Sequence, residues 1–233
     1  MILSTMNNLN LKRSQNYLKY LRQEILFIFN ILWYICIHPN HIFLIQKYSK
    51  RVPGITLENK IPWLTFLSVE WLEKNLNKNM MIFEWGSGGS TFFFSTRTKK
   101  VISIEHDKEW YKNVSEKITE HNIQNCDYFL VEPQSPDESN FNEYSDFIKK
   151  YEDNYFDVAI VDGKARNECI IAAKSKIRPG GHIILDNSER KIYKTGIETL
   201  KGWARKDFYG PGPHNHYFSE TTVFTKPKDT KIF

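Results

Sequence analysis

From residue 61 to the C-terminus, short apolar runs alternate with amphipathic stretches along the chain. Short apolar runs bounded by glycine or polar clusters predict buried strands, and apolar residues spaced three and four apart predict helices. We expect strands at 81–85, 101–105, 128–131, 157–162 and 182–186, and helices at 63–75, from 90, from 108 to about 121 and from 166 to 176. This alternation predicts an α/β fold with a doubly wound, mostly parallel seven-stranded sheet.

Two later segments differ from the regular alternation. Residues 134–154 occupy the place of a crossover helix but are acidic, polar and aromatic. We expect helix there only around 147–151, in a segment that serves either as a connection or as a lid. Residues 207–225 contain a Gly-Pro-Gly-Pro turn followed by a β-branched run, which predicts an antiparallel hairpin that closes the sheet.

Residues 1–60 predict a helical extension that precedes one domain over residues 61–233. Residues 25–37 are apolar on almost every side of a helix, and His38-Pro39-Asn40-His41 interrupts the pattern. Since a bilayer core needs about 20 apolar residues, we expect the extension to pack on the domain, with a homodimer contact as one way of covering it. Contact with an anionic membrane surface is an alternative, because basic residues flank the run, and a span or signal anchor is a third.

Charge and cysteine content narrow the function classes. The 233 residues carry a net charge of +5, and residues 1–60 hold eight Lys or Arg against two Glu, so the extension carries +6 and the rest −1. A nearly neutral catalytic part disfavours a nucleic-acid partner, which would require basic residues around the active site. The chain has three widely spaced cysteines and no C-x-x-C pattern, which favours a reducing, cytoplasmic location; the cysteines are Cys36, Cys126 and Cys169. If the extension binds lipid, the protein would also be associated with a membrane.

A glycine turn after the first strand carries most of the functional information. Glu84-Trp85-Gly86-Ser87-Gly88 is followed about twenty residues later by a second strand that ends in Glu105. A strand, a glycine turn and a second strand ending in an acid form the layout of a nucleotide-type cofactor site. A carboxylate at Glu84 would repel a pyrophosphate, and the third glycine of the dinucleotide pattern is Thr91 here. The sulfonium and ammonium groups of S-adenosylmethionine would instead be attracted, while Glu105 accepts hydrogen bonds from the ribose.

At these residues the chain resembles the class I S-adenosylmethionine-dependent methyltransferases, whose first motif is an acid, one residue and Gly-x-Gly. The resemblance implies a Rossmann-like methyltransferase fold from about residue 61 onward. It implies a cofactor site formed by Glu84, Gly86, Ser87, Gly88, Glu105, His106, Pro133, Gln134 and Asp162, with adenine near Pro133 and Gln134. A nicotinamide-dependent oxidoreductase and a non-catalytic methyltransferase-like binding module are the competing interpretations.

Polar residues that follow the fourth and fifth strands suggest a metal. Asp162, Asp186 and Asn187 would supply two carboxylates and an amide oxygen, a ligand set suited to Mg²⁺. This arrangement resembles the metal-dependent O-methyltransferases of the catechol and caffeoyl-coenzyme A types, which implies that these three residues bind the metal. Those families place a catalytic Lys three residues after the first Asp, whereas Lys164 comes two after it. The alternative is that Asp162 binds the methionine amine and that Asp186-Asn187 forms a turn.

Methyl transfer to a hydroxyl requires an aligned, deprotonated oxygen. A metal would lower the pKa of that hydroxyl, with Asp162 and Lys164 as catalytic residues beside it. Without a metal a histidine must take the proton, and His214 is preferred because a glycine–proline turn precedes it. The other histidine candidates are His216, His182 and His106.

The expected acceptor is a hydroxyl of a small molecule or a saccharide. Amine-directed members carry Pro-Pro and an aromatic residue after the fourth strand, whereas this chain has Asp-Gly-Lys-Ala at 162–165. Aromatic residues that could line an apolar or sugar-stacking surface are Trp85, Trp110, Tyr111 and Tyr193, with core packing as the other explanation.

Overall fold

A single seven-stranded sheet organises the chain in the computed structural model, which describes residues 21–22, 24–48, 57, 59–135, 140–213 and 217–228. The strands are β1 (Met81–Trp85), β2 (Lys100–Glu105), β3 (Cys126–Leu130), β4 (Phe156–Val161), β5 (Ile177–Asp186), β6 (Ala204–Gly210) and β7 (Ser219–Thr225). Their order in the sheet is β3-β2-β1-β4-β5-β7-β6. The pairs among β1 to β5 are parallel, and β7 pairs antiparallel with both β5 and β6. The predicted doubly wound, mostly parallel sheet is confirmed.

Helices cover both faces of this sheet. They are α1 (24–37), α2 (Ile42–Tyr48), α3 (Phe66–Asn75), α4 (Gly89–Ser95), α5 (Lys108–Glu120), α6 (Asn142–Asp146), α7 (Arg166–Lys176) and α8 (Lys194–Thr199). Successive residues of a strand point to opposite faces. Phe83 therefore packs in the cluster on the α6 and α7 side, while its neighbour Ile82 packs in the cluster on the α2, α3 and α4 side.

The segment that follows β3 has more structure than its composition predicts. Residues Asn142–Asp146 form α6, and a 3₁₀ turn follows over Phe147–Lys150. Tyr144 and Ile148 are fully buried in the core of the α7 side. The segment is therefore held by core packing on that side, and its earlier part includes residues 136–139, which lie outside the described region.

The extension packs one side of α1 against the loop between β6 and β7. Tyr34 is 8% exposed, and its ring lies 5.4 Å from that of Phe218. Phe27 meets the same ring at 6.1 Å. Among the residues that the structure describes, no helix combines the length and apolar character needed to cross a bilayer. Contact with the domain is thus present, although it covers only one side of this apolar helix.

Two backbone turns approach closely at the carboxyl edge of the sheet. Gly86, after β1, has φ +88°, and a Cβ there would lie 2.9 Å from the amide nitrogen of Gly163 after β4. A Cβ on Gly163 would lie 2.0 Å from the Tyr144 hydroxyl oxygen. Only glycine adopts such a conformation and such an approach without strain. The two turns therefore form one rigid shelf above β1 and β4.

A buried carboxyl group links β1, β2 and α4 beneath this shelf. Glu84 is fully buried, and its Oε2 accepts hydrogen bonds from Thr91 Oγ1 and Ser103 Oγ, each at 2.6 Å. Thr91 Oγ1 also accepts from the amide of Gly88 at 3.1 Å, which ties the glycine turn to the same group. Burial raises the pKa of Glu84 to about 7, although the hydroxyl donors partly offset this effect.

This raised pKa predicts a specific pH dependence of stability for Glu84→Gln. An acid whose folded-state pKa is raised from 4.5 to about 7 stabilises the fold fully only below pH 4.5, and this contribution is lost as the pH rises to about 7. The loss amounts to about 3 kcal/mol. The variant keeps an amide oxygen for both hydroxyl donors but does not ionise. As the pH rises across this range, the free energy of unfolding of the wild type should therefore fall relative to that of the variant. Urea denaturation at a series of pH values measures the difference.

The exposed Glu152 provides the matched control. Glu152→Gln should follow the wild-type pH profile. Parallel profiles for Glu84→Gln and the wild type would contradict the buried-acid account.

Candidate functional site

A cleft of about 580 Å³ opens at the carboxyl edge of β1, β2, β4 and β5. Ligands of doubly wound sheets bind at this edge. We call it the main cleft. Its lining comprises Trp63, Gly86, Ser87, Gly88, Gly89, Ser90, Glu105, His106, Asp107, Trp110, Asp162, Gly163, Arg166, Asp186, Asn187 and Tyr217. The topology therefore brings most of the predicted site residues to one place.

Glu105 is a preorganised acceptor at the end of β2. Its Oε2 accepts from the amide and the hydroxyl of Ser87, at 3.1 and 2.9 Å. Its Oε1 accepts from the amides of His106 and Asp107, at 2.8 and 3.0 Å. Burial opposes ionisation of Glu105, but His106 and these backbone amides more than offset it, so its pKa lies below the ordinary value. The cleft thus holds a fixed negative charge beside the glycine turn.

The glycine turn is held from its outer side as well. The indole Nε1 of Trp110 donates to the carbonyl oxygen of Ser87 at 2.9 Å. The hydroxyl groups of Ser87 and Tyr128 lie 2.6 Å apart. Gly86, Ser87, Gly88, Glu105 and His106 therefore lie together on one wall of the main cleft, as the sequence motif predicts. The arrangement offers a carboxylate to a pair of hydroxyl groups, such as those of a ribose.

The side chain of Glu84 does not reach the main cleft. It is fully buried and bonded to Thr91 and Ser103 beneath the turn. The expectation that this carboxylate directly faces a cationic ligand is therefore corrected. Glu84 supports the turn through Thr91 instead, and a buried acid with a raised pKa is a weak source of negative charge.

Pro133 and Gln134 do not line the main cleft itself. They line a second cavity of about 610 Å³, together with Glu143 and other residues of the segment after β3. The Gln134 amide is used within this segment, since its Nε2 donates to the Glu132 carbonyl at 2.9 Å and its Oε1 accepts from the Glu143 amide at 3.1 Å. The loop that carries them starts beside Glu105, whose carbonyl accepts from the Val131 amide at 2.7 Å, so the placement of adenine near these two residues stays a prediction.

Arg166 joins the ends of β4 and β5 at the floor of the main cleft. Its Nη2 donates to the Oδ1 of Asp162 at 2.9 Å and to the carbonyl of the same residue at 3.0 Å. Its Nη1 donates to the Asp186 carbonyl at 2.6 Å, and its Nε donates to the Gly163 carbonyl at 2.9 Å. The sequence analysis did not select Arg166. Its place shortly after Asp162, at the first residue of α7, is a sequence signal that could have suggested this ion pair.

Asp162, Asp186 and Asn187 meet in the main cleft, as predicted, but their surroundings do not suit a metal ion. Asp162 is paired with the Arg166 guanidinium, and the Oδ1 of Asp186 accepts from Thr221 Oγ1 at 2.8 Å. A fixed guanidinium beside these acids would repel a divalent cation. Within the described ranges, no group of three or more His, Cys, Asp or Glu side chains is placed to hold a metal. The described residues therefore show an ion pair at this place and do not support the predicted Mg²⁺ site.

The two acids differ in their protonation. Burial raises the pKa of Asp186 to about 8, and the nearby charge of Asp162 adds to this effect, while Arg166 opposes it. Burial also raises the pKa of Asp162, and Arg166 again opposes it. The Asp162 side chain is 26% exposed and bonded to Arg166, so we assign it the negative charge of the pair. Asp186, which is 4% exposed, holds the proton near neutral pH.

The predicted proton acceptors are dispersed. Lys164 is exposed and does not line the main cleft, which corrects its assignment as a catalytic residue. His182 lies on β5, four residues before Asp186 and away from the cleft. It packs on Trp71 and bonds to Thr225. His106 lines the cleft, with Nδ1 2.8 Å from the Oε1 of Glu105. His214 and His216 lie outside the described residues, so their assignment stays a prediction.

Aromatic residues line the cleft at different positions from most of those predicted. Trp85 is fully buried, Tyr111 stacks on Tyr128 at 4.6 Å, and Tyr193 is 8% exposed in the core. Of the predicted set, Trp110 lines the main cleft. Trp63 and Tyr217, exposed by 42% and 50%, form further aromatic walls that the sequence analysis missed. Trp63 was expected inside the predicted helix at 63–75, but α3 begins at Phe66, so Trp63 precedes the helix and faces the cleft. Tyr217 likewise precedes β7, where no periodicity marks it.

Comparisons with known proteins support the fold. No protein-family model matches the chain, and no curated protein is similar to it in sequence. A proposed methyltransferase from Streptococcus mutans, solved in complex with SAH, is similar in structure with a TM-score of 0.51 and 17% identity, over 68% of this chain and 96% of that one. An S-adenosylmethionine-dependent O-methyltransferase from Thermotoga maritima gives a TM-score of 0.52 and 12% identity, over 80% and 71%.

A third similar structure has a nucleic-acid substrate. The tRNA (m1A58) methyltransferase from Aquifex aeolicus gives a TM-score of 0.51 and 16% identity, over 75% of this chain and 73% of that one. Of the three proteins, only the A. aeolicus enzyme is named for its substrate, and all three sequence identities are low. What they share with this chain is the architecture of the sheet and its helices. The chain therefore has the Rossmann-like fold of the class I S-adenosylmethionine-dependent methyltransferases.

Proposed function

We propose that this protein is an S-adenosylmethionine-dependent methyltransferase that binds its cofactor in the main cleft. The observation that carries the proposal is the Glu105 carboxylate, which Ser87, His106 and Asp107 hold at the end of β2 beside the glycine turn. A carboxylate in this position accepts hydrogen bonds from the two ribose hydroxyl groups of a nucleoside. The S. mutans neighbour, which was solved with SAH, has the same fold.

The charge of the main cleft favours a cationic cofactor over a dinucleotide. Glu105, Asp107 and Asp162 line it, and Arg166 is already paired with Asp162. A pyrophosphate would have to approach these carboxylates, which costs free energy. A nicotinamide-dependent oxidoreductase is therefore the weaker interpretation.

The floor and outer walls of the cleft suit an acceptor with a hydroxyl group. When bound, S-adenosylmethionine supplies an electrophilic methyl group, and the electrons of its carbon–sulfur bond remain on sulfur. Trp63 and Tyr217 offer aromatic faces of the kind on which sugar rings and phenols pack. Asp186 and Asn187 offer polar groups beside them, with Asp186 oriented by Thr221. We infer O-methylation of a small molecule or saccharide, and assign to Asp186 the proton of the acceptor hydroxyl.

In the proposed mechanism, Asp186 accepts the proton that a metal was expected to help remove from the acceptor hydroxyl. Arg166 balances the charge of Asp162 and leaves Asp186 as the titrating acid of the pair. His214 remains an alternative proton acceptor, since it follows the turn at residues 210–213 in the sequence. A non-catalytic binding module would bind the cofactor but transfer no methyl group.

We expect Glu105→Ala to weaken the binding of S-adenosylmethionine and SAH by about 10- to 100-fold, the loss for hydrogen bonds to a charged group. Isothermal titration calorimetry with these two compounds and with NAD measures the effect. Glu105→Gln should fall between the wild type and the alanine variant, because one amide oxygen remains as an acceptor. Glu109→Ala, which removes an exposed acid of α5, is the matched control and should bind as the wild type does. Tight NAD binding without a response to S-adenosylmethionine would overturn the proposal.

Asp186→Asn should abolish methyl transfer and leave the affinity for SAH within about threefold of the wild type, because Asn cannot take the proton. An acceptor for this test comes from a screen of sugars, polysaccharide precursors and phenols with a product-detecting assay. An ionised base is required and the pKa of Asp186 is about 8, so the rate should rise with pH through that region. Excess chelator should leave the rate unchanged. Loss of activity in chelator, restored by Mg²⁺, would contradict the ion-pair assignment.

A further inference from the structure

The outer side of α1 is a continuous apolar surface, which we call the α1 face. Residues 25–37 contain no charged side chain. Ile25, Phe29, Leu32 and Trp33 are 53%, 65%, 55% and 70% exposed, and Phe43 of α2 is 69% exposed. Phe29 and Trp33 by themselves expose roughly 200–340 Å², given about 150–250 Å² for each side chain. With Ile25 and Leu32 added, the α1 face reaches the size of the largest apolar patch of an ordinary monomer, so it requires a cover.

The helix geometry separates this face from the side that contacts the domain. Residues that differ by three, four or seven positions share one side of a helix, which places Ile25, Phe29, Leu32 and Trp33 together. Tyr34 lies on the opposite side, 8% exposed against Phe218. The domain therefore holds α1 by one side and leaves Ile25, Phe29 and Trp33 exposed on the other, while Leu32 borders a groove between α1 and the domain.

The positive charge of residues 1–60 distinguishes between the two possible partners of the α1 face, a second copy of the chain and a lipid surface. Residues 1–60 carry eight Lys or Arg against two Glu, with basic residues on both sides of the apolar run. Two copies joined through this face would bring two extensions of charge +6 together, which electrostatic repulsion opposes. An anionic lipid surface attracts the same charges, and Trp and Phe side chains favour the boundary between headgroups and acyl chains.

Among the described residues, no helix is long and apolar enough to cross a bilayer core, which requires about 20 apolar residues. We propose that the α1 face binds the surface of an anionic membrane, with α1 lying in the plane of the headgroups and the domain above it. Tyr217, which lines the main cleft, precedes Phe218, which packs on α1, so the cleft and the α1 face share the β6–β7 loop. This proposal does not depend on the proposed methyltransferase activity.

Flotation of the full chain with lipid vesicles tests the proposal. We expect binding to phosphatidylcholine vesicles that contain phosphatidylglycerol, weaker binding at high salt, and little binding to phosphatidylcholine vesicles without anionic lipid. Phe29→Glu and Trp33→Glu should each reduce the bound fraction by about tenfold or more, because each places a charge at the lipid boundary. Both side chains are exposed, so these changes should not disturb the fold, and thermal unfolding verifies this.

Ile192→Glu is the matched control, because Ile192 is 68% exposed, much like Phe29 and Trp33, but lies in the turn before α8 and not on the α1 face. This variant should bind vesicles as the wild type does. Light scattering measures the oligomeric state of the same proteins. A dimer that Phe29→Glu dissociates, without vesicle binding, would show that a second copy covers the face and would overturn the proposal. A monomer that does not bind anionic vesicles would also overturn it.

Discussion

The close approach of two backbone turns above the sheet is the constraint on which the main cleft depends. Gly86 and Gly163 lie so near each other that a Cβ on either would contact the other turn. This approach brings the end of β1 against the end of β4, with Tyr144 filling the space beneath Gly163. Glu105 and Asp162 can then face the same cleft from two different strands. A larger residue at either glycine would separate the two walls.

The carboxyl groups around these two turns differ in their pKa values because their hydrogen-bond and ion-pair partners differ. Glu84 receives only hydroxyl donors in a fully buried site, and its pKa rises to about 7. Glu105 receives backbone amides that are aimed at it, and its pKa falls. Asp162 has a guanidinium partner, and its neighbour Asp186 has none of its own. Four acids of similar chemistry thus become a buried support of the turn (Glu84), a fixed charge (Glu105), an ion-pair member (Asp162) and a titrating group (Asp186).

The extension and the domain meet in the loop between β6 and β7. Phe218 packs on α1, and Tyr217 beside it lines the main cleft. The Phe66 amide also donates to the Pro211 carbonyl at 2.9 Å, which attaches the start of α3 to the same loop. The loop that contacts α1 through Phe218 therefore also supplies one wall of the main cleft through Tyr217.

The sequence by itself determined the order of the strands and of helices α3, α4, α5 and α7, because apolar periodicity and glycine turns act over short distances, but it did not predict α6 and α8. It also identified Gly86, Ser87, Gly88 and Glu105 as one wall, since the motif lies within a single β-α-β unit. Tertiary structure decided the direction of each side chain and its partner. Glu84 points beneath the turn, Gln134 closes its own loop, and Arg166 takes the place assigned to a metal, because each depends on residues distant along the chain. Likewise, the apolar run of the extension predicts burial, but only packing against Phe218 decided which side of α1 is covered and which is left open.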